Sequence, residues 1–154
     1  MRIGSILENQ NIERRIAITP EIAKRYVSLG FEVCLIENYG SHLGIKDDQY
    51  KNVGTTILKD EVEVLDTSDI ITQLGILSDD KTLNLKEKHT LIGVLNPYNN
   101  KEKLKNLAEK KVNLFSLELL PRITRAQSMD ILSSQANLAG YKAVVESFAN
   151  FEKA

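Results

Sequence analysis

The sequence predicts an α/β fold of flavodoxin-like or Rossmann-like type, in which a mainly parallel sheet lies between helices on both faces as a three-layer arrangement. Apolar runs of strand length alternate with amphipathic segments along the whole chain, and no internal repeat or low-complexity linker interrupts them. Strands that alternate with helices run parallel because each helix returns the chain to the same edge of the sheet. The 154 residues fit one compact domain with about five or six strands.

The first helix has the clearest boundaries in the N-terminal half. Thr19 can cap its free amides and Pro20 suits the first helical position. Gly30 ends the helix, as a glycine after the last turn commonly does. Ile22, Ala23, Tyr26 and Leu29 form its apolar face. The other elements predicted in this half are strands at 3–7, 31–36 and 55–58, a charged loop at 9–15, and a short helix at 47–52 that Gly54 closes.

The C-terminal half continues the alternation and then ends on a long helix. Buried strands are predicted at 69–74 and 90–95 and a further strand at 112–117, with a helix capped by Asn99 and reaching about residue 110 between the last two. The pattern becomes helical again from about Asp130, with Leu138, Tyr141, Val145 and Phe148 on one face. We assign 1–125 to the α/β domain and 126–154 to a loop and the start of a helix that connects to a further domain.

Composition and charge argue against several kinds of protein. Twenty basic residues balance twenty-one acidic ones, so no overall field favours nucleic acid. Cys34 is the single cysteine and is expected to be buried and inert, which excludes an intrachain disulfide and gives no support to a metal site. His42 and His89 are expected at the surface. No apolar run reaches the ~18 residues of a membrane helix, and a cytoplasmic location is expected.

The densest group of polar side chains follows the last predicted strand. Arg122, Gln127, Asp130 and Ser133 lie in it, and ligands of open α/β sheets bind beyond the carboxyl ends of the strands. A guanidinium can bind a phosphate or an amide carbonyl, a carboxylate can accept from a carboxamide NH2, and a hydroxyl can do either. The alternative is a solvated loop followed by a polar first helical turn, with Asp130 and Ser133 as caps.

This stretch resembles the signature of the alanine dehydrogenase and pyridine nucleotide transhydrogenase superfamily, and the resemblance is strongest to the transhydrogenase alpha subunit. The run RAQSMDILSSQANLAGY at 125–141 carries most of it. ERRIAITP at 13–20, the segment 30–44 with DQY at 48–50 and Gly54, and LIGVLNP at 91–97 match further blocks of the family. The similarity covers essentially the whole chain.

The resemblance implies hydride transfer between NAD(H) and NADP(H), coupled to proton movement across a membrane by other domains. It places Arg122, Asp130 and Ser133 against the nicotinamide of NAD(H), and Gln127 towards a partner that binds NADP(H). The NAD(H) site would be completed by a Rossmann domain, because no Gly-x-Gly-x-x-Gly segment follows a strand here. The implied partners are the membrane and NADP(H)-binding domains or subunits and a possible second copy, at the cytoplasmic side of the inner membrane. The chain alone is expected to bind NADH weakly and to catalyse nothing.

Two other functions stay open. The alanine dehydrogenase branch binds pyruvate with an arginine, a lysine and a histidine. Arg15 matches that arginine, which both branches share, whereas Gln73 stands at the lysine position and Asn96 near the histidine position. Gln73, and Leu7 near the first strand, also replace lysines that are usual in transhydrogenases. The second possibility is a non-catalytic binding or assembly module that keeps the fold.

Overall fold

The computed structural model describes residues 1–152, and these divide into two compact units. The first unit is Met1–Ser116 and holds the whole sheet, and the second begins at Leu117. The domain boundary that the sequence predicted, between residues 125 and 126, stays a prediction. Each unit is described by itself below.

The first unit is built on a six-stranded sheet whose pairings are all parallel, so the predicted α/β class is confirmed and the sheet is parallel throughout. The spatial order is β3-β2-β1-β4-β5-β6, with β1 and β4 as the central pair. Both are short, and none of their residues is exposed, as expected for strands covered on two faces. The strands are β1 Arg2–Ser5, β2 Glu32–Ile36, β3 Thr56–Leu58, β4 Ile70–Thr72, β5 Thr90–Gly93 and β6 Asn113–Ser116.

The helices connect successive strands, as a parallel sheet requires. They are α1 Pro20–Ser28, α2 Asp47–Lys51, α3 Glu61–Thr67, α4 Asp79–Thr82 and α5 Lys101–Glu109 in the first unit, and α6 Ile131–Ala149 in the second. Short 3-10 helices occur at Ser41–Leu43, Leu117–Leu119 and Thr124–Met129. The sequence patterns did not predict α3 or α4.

The first helix, α1, has the boundaries that the sequence predicts. The Oγ1 of Thr19 accepts a hydrogen bond from the amide of Ile22 at 3.3 Å. At the other end Gly30 adopts a φ of 86°, in the left-handed region that glycine enters without a steric penalty. The amide of Phe31 then donates to the carbonyl of Tyr26 and the amide of Gly30 to that of Val27, which is the Schellman arrangement.

The hydrophobic core of the first unit packs on the sheet. Cys34 belongs to this core, so its predicted burial is confirmed. The surface position expected for His89 is wrong, because this side chain has no exposed surface. Its Nδ1 accepts from the amide of Lys86 at 2.9 Å, so the ring turns inward just before β5 while the neighbouring lysines stay exposed. His42 is half-buried, with its Nε2 2.8 Å from the carbonyl of Arg14.

The N-terminus of α5 also differs from the prediction. Asn100, not Asn99, is the residue before the first turn. Its side-chain amide donates to the carbonyls of Leu95 and Asn96, at 3.0 and 3.3 Å, and does not cap the free amides of α5. The side chain therefore fixes the loop that follows β5.

The second unit is dominated by α6, which has 19 residues. Its apolar side chains are spread around the helix, and all of them except the half-buried Ile131 are exposed. Those of the predicted face are between 45 and 77% exposed, namely Leu138, Tyr141, Val145 and Phe148. Within residues 1–152, none of the helices combines the length and the apolar character that a membrane-spanning helix needs.

Candidate functional site

The predicted polar stretch folds as a 3-10 helix, Thr124–Met129, followed directly by α6. Ala126 is buried, with 6% of its surface exposed, whereas its neighbours in this helix are exposed. The 3-10 helix therefore buries one small apolar residue and leaves the polar side chains around it accessible.

Asp130 ends the 3-10 helix and caps α6. Its Oδ1 accepts from the amides of Leu132 and Ser133, at 3.0 and 3.1 Å. Its Oδ2 accepts from the hydroxyl of Ser133 at 2.6 Å. These hydrogen bonds, first among them the one from the Ser133 side chain, lower the pKa of the Asp130 carboxyl, and the positive charge of Arg122 acts in the same direction. Asp130 is therefore a carboxylate at neutral pH.

The structure brings all four predicted site residues to one cavity of about 260 Å³. Arg122, Gln127 and Ser133 are exposed at it, and Asp130 is half-buried. The remaining lining residues are Pro121, Ile123, Thr124 and Ala126. The lining thus combines an apolar wall with a guanidinium, a carboxamide, a carboxylate and a hydroxyl.

This set of groups fits a planar ring that carries a carboxamide. Such a ligand has a carbonyl that accepts and an NH2 that donates, and Arg122 can supply the donors while Asp130 supplies an acceptor. Asp130 already accepts three hydrogen bonds within the chain, and an ionised carboxylate has about four acceptor positions. The apolar wall of Pro121 and Ile123 offers a surface for the ring face.

A larger cleft of about 690 Å³ lies within the first unit. Four residues that the comparison of sequence motifs singled out line this cleft: Leu7, Arg15, Gln73 and Asn96. Arg15 matches the arginine that both branches of the superfamily share, and the other three stand where lysines or a histidine are usual. Arg15 is bound by Glu13 through a salt bridge of 2.6 Å. The pKa of Glu13 is lowered, first by the hydrogen bond from the Arg15 side chain.

Gln73 is turned into the interior by a chain of buried hydrogen bonds that the sequence did not indicate. Its Oε1 accepts from the hydroxyl of Ser5 at 2.7 Å and from the amide of Ile6 at 3.4 Å. The hydroxyl of Tyr39 lies 2.8 Å from the same Ser5 Oγ. An ammonium group at position 73 would have no acceptor to offer these donors, so Gln73 fits a structural role here.

Glu8 is a further residue of this cleft that the sequence patterns missed. Its carboxylate accepts from the amide of Leu74, and burial raises its pKa above the ordinary value. A signal was available, because Glu8 follows the first strand and polar residues beyond the carboxyl ends of parallel strands are the usual ligand positions.

Comparison with known proteins identifies the family of the chain. The model of the alanine dehydrogenase/PNT N-terminal domain matches residues 4–139. The chain is 39% identical to an NAD(P) transhydrogenase subunit alpha polypeptide of Rickettsia prowazekii and 37% identical to that of Rhodospirillum rubrum. Each match covers the whole chain and 41% of the relative, so the chain spans about two fifths of their length.

A solved structure gives the same result for the fold. The crystal structure of transhydrogenase from Sinorhizobium meliloti is similar with a TM-score of 0.89 and 34% identity, over the whole chain and 46% of that protein. The sequence match and the six-stranded parallel sheet therefore agree, and the chain belongs to the alanine dehydrogenase/PNT N-terminal domain family.

Proposed function

We propose that this chain is the N-terminal part of the NAD(H)-binding alpha subunit of a proton-translocating NAD(P) transhydrogenase. The similarity to two transhydrogenase alpha subunits, which extends over the whole of this chain, supports this assignment. Because the chain spans 41% of those relatives, the residues that complete the NAD(H) site would come from outside it. NADP(H) would be held by a partner, and the assembly would lie at the cytoplasmic side of the inner membrane.

The observation that carries the proposal is that Arg122, Gln127, Asp130 and Ser133 line one cavity. In this function Arg122, Asp130 and Ser133 would contact the carboxamide of the nicotinamide, and Gln127 would face the NADP(H) partner. The exposure of Arg122 and Gln127 supports these roles, since both side chains can reach a ligand without moving the backbone.

The bond between Asp130 and Ser133 gives the proposed site its rigidity. Because Asp130 caps α6 and accepts from the Ser133 hydroxyl, both side chains are fixed before a ligand arrives. A fixed acceptor beside Arg122 would orient the carboxamide, and orientation matters because hydride transfer requires the two reacting carbons about 3–3.5 Å apart.

The nicotinamide cofactors supply the hydride chemistry when they are bound. The residues of this chain would therefore bind and orient the ring and exclude water from one side of it. The apolar residues Pro121 and Ile123 in the lining suit the last of these tasks. No proton donor or acceptor in this chain is needed for that role.

Titration of the isolated chain with NADH tests whether the NAD(H) site is shared between this chain and residues outside it. We expect calorimetry to show weak binding, with no saturation at micromolar NADH, because a Gly-rich phosphate-binding loop is not among these residues. Micromolar affinity would contradict the proposed division.

Hydride exchange between NADH and NADP+ in the complete enzyme tests the roles of the side chains. We expect Ser133→Ala to slow exchange about tenfold, the effect of one lost hydrogen bond of about 1.4 kcal/mol. Ser134→Ala is the matched control, because its hydroxyl donates to the carbonyl of Ile131 inside α6. Equal rates for the two variants would argue against the site.

Assays of the complete enzyme also distinguish the two alternative functions, alanine dehydrogenase and a non-catalytic module. An alanine dehydrogenase would oxidise NADH in the presence of pyruvate and ammonia, and a non-catalytic module would support neither reaction while still joining its partners. The hydrogen bonds that bind Gln73 to Ser5 and Ile6 favour neither of these over hydride exchange.

A further inference from the structure

The loop before β5 ends in a tight turn that the side chain of His89 closes from the inside. The amide of His89 donates to the carbonyl of Lys86 at 2.9 Å, and His89 Nδ1 accepts from the amide of Lys86, also at 2.9 Å. The ring of His89 has no exposed surface, whereas the other three side chains of the turn are exposed. Residues 86–89 are called the His89 turn below.

The hydrogen bonds of the ring determine where its proton lies. Because Nδ1 accepts from the amide of Lys86, the neutral ring carries its proton on Nε2. Nε2 is buried too, and no group among residues 1–152 accepts from it. A second proton would lie on Nδ1 and would place two donors, the ring and the amide of Lys86, face to face. The buried position therefore fits the neutral ring and not the protonated one.

The charges around the ring come from three parts of the first unit. Burial and then the positive charge of Lys88 lower the pKa of His89, and Lys86 acts in the same direction. Asp66, near the end of α3, and Asp69, just before β4, act in the opposite direction. Both carboxylates are outweighed, because the pKa of His89 stays below its ordinary value.

The outer contacts of the His89 turn are all exposed. Lys86 Nζ forms a salt bridge of 2.7 Å with the Asp66 carboxylate, and Lys88 Nζ donates to the carbonyl of Asp66 at 2.5 Å. A third ion pair joins the turn to the end of α5. Exposed ion pairs contribute little to stability, because water competes with them. The buried hydrogen bond to His89 Nδ1 is therefore the contact that keeps the turn closed.

The start of β5 has anchors that do not involve the ring. The carbonyl of His89 accepts from the amide of Asn113 at 3.0 Å, and the amide of Thr90 donates to the carbonyl of Asp69 at 2.9 Å. These bonds can persist when the ring leaves its position. The turn also lies at the amino end of β5, whereas the cleft of about 690 Å³ lies beyond the carboxyl ends of the strands.

We propose that protonation of His89 opens the His89 turn while the sheet remains folded, so that the turn is an acid-sensitive switch at the amino end of β5. The protonated ring turns out into water, where both of its nitrogens can donate. The amide of Lys86 loses its buried acceptor and becomes accessible to solvent. The cleft at the opposite edge of the sheet is unaffected.

Amide hydrogen exchange of the full chain, followed by NMR between about pH 7.5 and about pH 5, tests the proposal. The protection factor of the Lys86 amide is measured against an unstructured peptide, which removes the pH dependence of the exchange chemistry itself. We expect this factor to fall by up to about tenfold for each pH unit below 6.5, because the opened ring takes up a proton that the buried ring does not.

Two substitutions identify the titrating group. His89→Asn keeps an acceptor near the position of Nδ1 that does not titrate in this range, so its Lys86 protection should not depend on pH. His42→Asn is the matched control, since His42 lies outside the turn and makes its contact with the carbonyl of Arg14. The pH dependence of the native chain should persist in it.

Dilute urea distinguishes a local opening from unfolding of the whole unit. A local opening exposes little surface, so exchange at Lys86 should not respond to urea. Exchange at Gln73, whose amide donates to the carbonyl of Ile92 inside the sheet at 3.0 Å, should accelerate.

The native chain alone can overturn the proposal, even if His89→Asn does not fold. It is overturned if Lys86 protection is the same at the two ends of the pH range, or if urea accelerates exchange at Lys86 and Gln73 equally. A fall in protection that persists in His89→Asn would also overturn it.

Discussion

The hydroxyl of Tyr39 lies 2.8 Å from Ser5 Oγ, at the start of a buried chain of hydrogen bonds that ends at Gln73. The Tyr39 oxygen also accepts from the amides of Ala17 and Ile18, at 3.1 and 3.3 Å. Because Ser5 donates to Gln73, Tyr39 must donate to Ser5. One phenol therefore connects the loop before α1 to the centre of the sheet.

We expect Tyr39→Phe to destabilise the first unit by about 1–3 kcal/mol, the penalty for buried donors that lose their acceptor. Tyr50→Phe is a matched control, since the hydroxyl of the fully buried Tyr50 donates to the carbonyl of Ile18 at 3.0 Å, and its loss should cost about 1 kcal/mol. Urea unfolding measures both. If the free energy of unfolding falls equally in the two variants, the hydrogen bonds that Tyr39 accepts from Ala17 and Ile18 do not stabilise the fold more than an ordinary buried hydrogen bond does.

Asp130 should control the first turn of α6. We expect amide exchange at Leu132 and Ser133 to accelerate in Asp130→Ala and to stay slow in Asp130→Asn, because asparagine also caps helices. The folded pKa of Asp130 lies below its ordinary value of 3.8, so its protection is complete above pH 3.8 and is lost as pH falls through the folded pKa. Protection that is unchanged in Asp130→Ala would contradict this role.

His89 should make the stability of the fold depend on pH. Burial lowers its pKa below the ordinary value of 6.5, so the unfolded chain takes up the proton at higher pH than the folded chain does. The free energy of unfolding is therefore highest above pH 6.5 and falls as pH drops below it. Urea unfolding between about pH 7.5 and about pH 5.5 measures this slope. His89→Asn, which keeps an acceptor near the position of Nδ1, should flatten it.

Gly93 is required by the close approach of the chain at the end of β4. A Cβ at this position would lie 2.5 Å from the carbonyl oxygen of Gln73, a backbone atom that cannot move aside cheaply. We expect Gly93→Ala to destabilise the fold by about 1–3 kcal/mol, as overpacking does. Gly140→Ala is the control, because apart from its chain neighbours and the backbone of α6 no heavy atom lies within 4 Å of its Cβ position. That change should instead favour the helix by about 0.5–1 kcal/mol, as thermal unfolding can show.

The strands were predictable because each is a short run rich in apolar residues between polar turns. A helix such as α1 carries its own start and stop signals in Thr19 and Gly30. The helix α3 was missed because its seven residues include two valines and a threonine, which suit a strand as well as a helix. The helix α4 is a single turn, too short for a hydrophobic period. Periodicity is therefore informative only where an element spans several turns.

The grouping of the four candidate residues was predictable because they are close in sequence, so the 3-10 helix and the first turn of α6 are enough to bring them to one cavity. The Tyr39 network and the position of Glu8 were not predictable in this way. Ser5 and Gln73 are 68 residues apart in the chain, and only the pairing of β1 with β4 makes them neighbours. The burial of His89 was missed for a related reason, since its charged sequence neighbours conceal a side chain that turns inward.

The location of β1 in the middle of the sheet has a consequence for synthesis of the protein. The residues of β1 leave the ribosome before those of β2, which pairs with one edge of β1. The other edge pairs with β4, which is made much later and places Ile70 opposite Ile3. Until then the nascent chain presents an open strand edge, which is a template for unwanted association. Synthesis of β4 is thus the step that removes this open edge from β1.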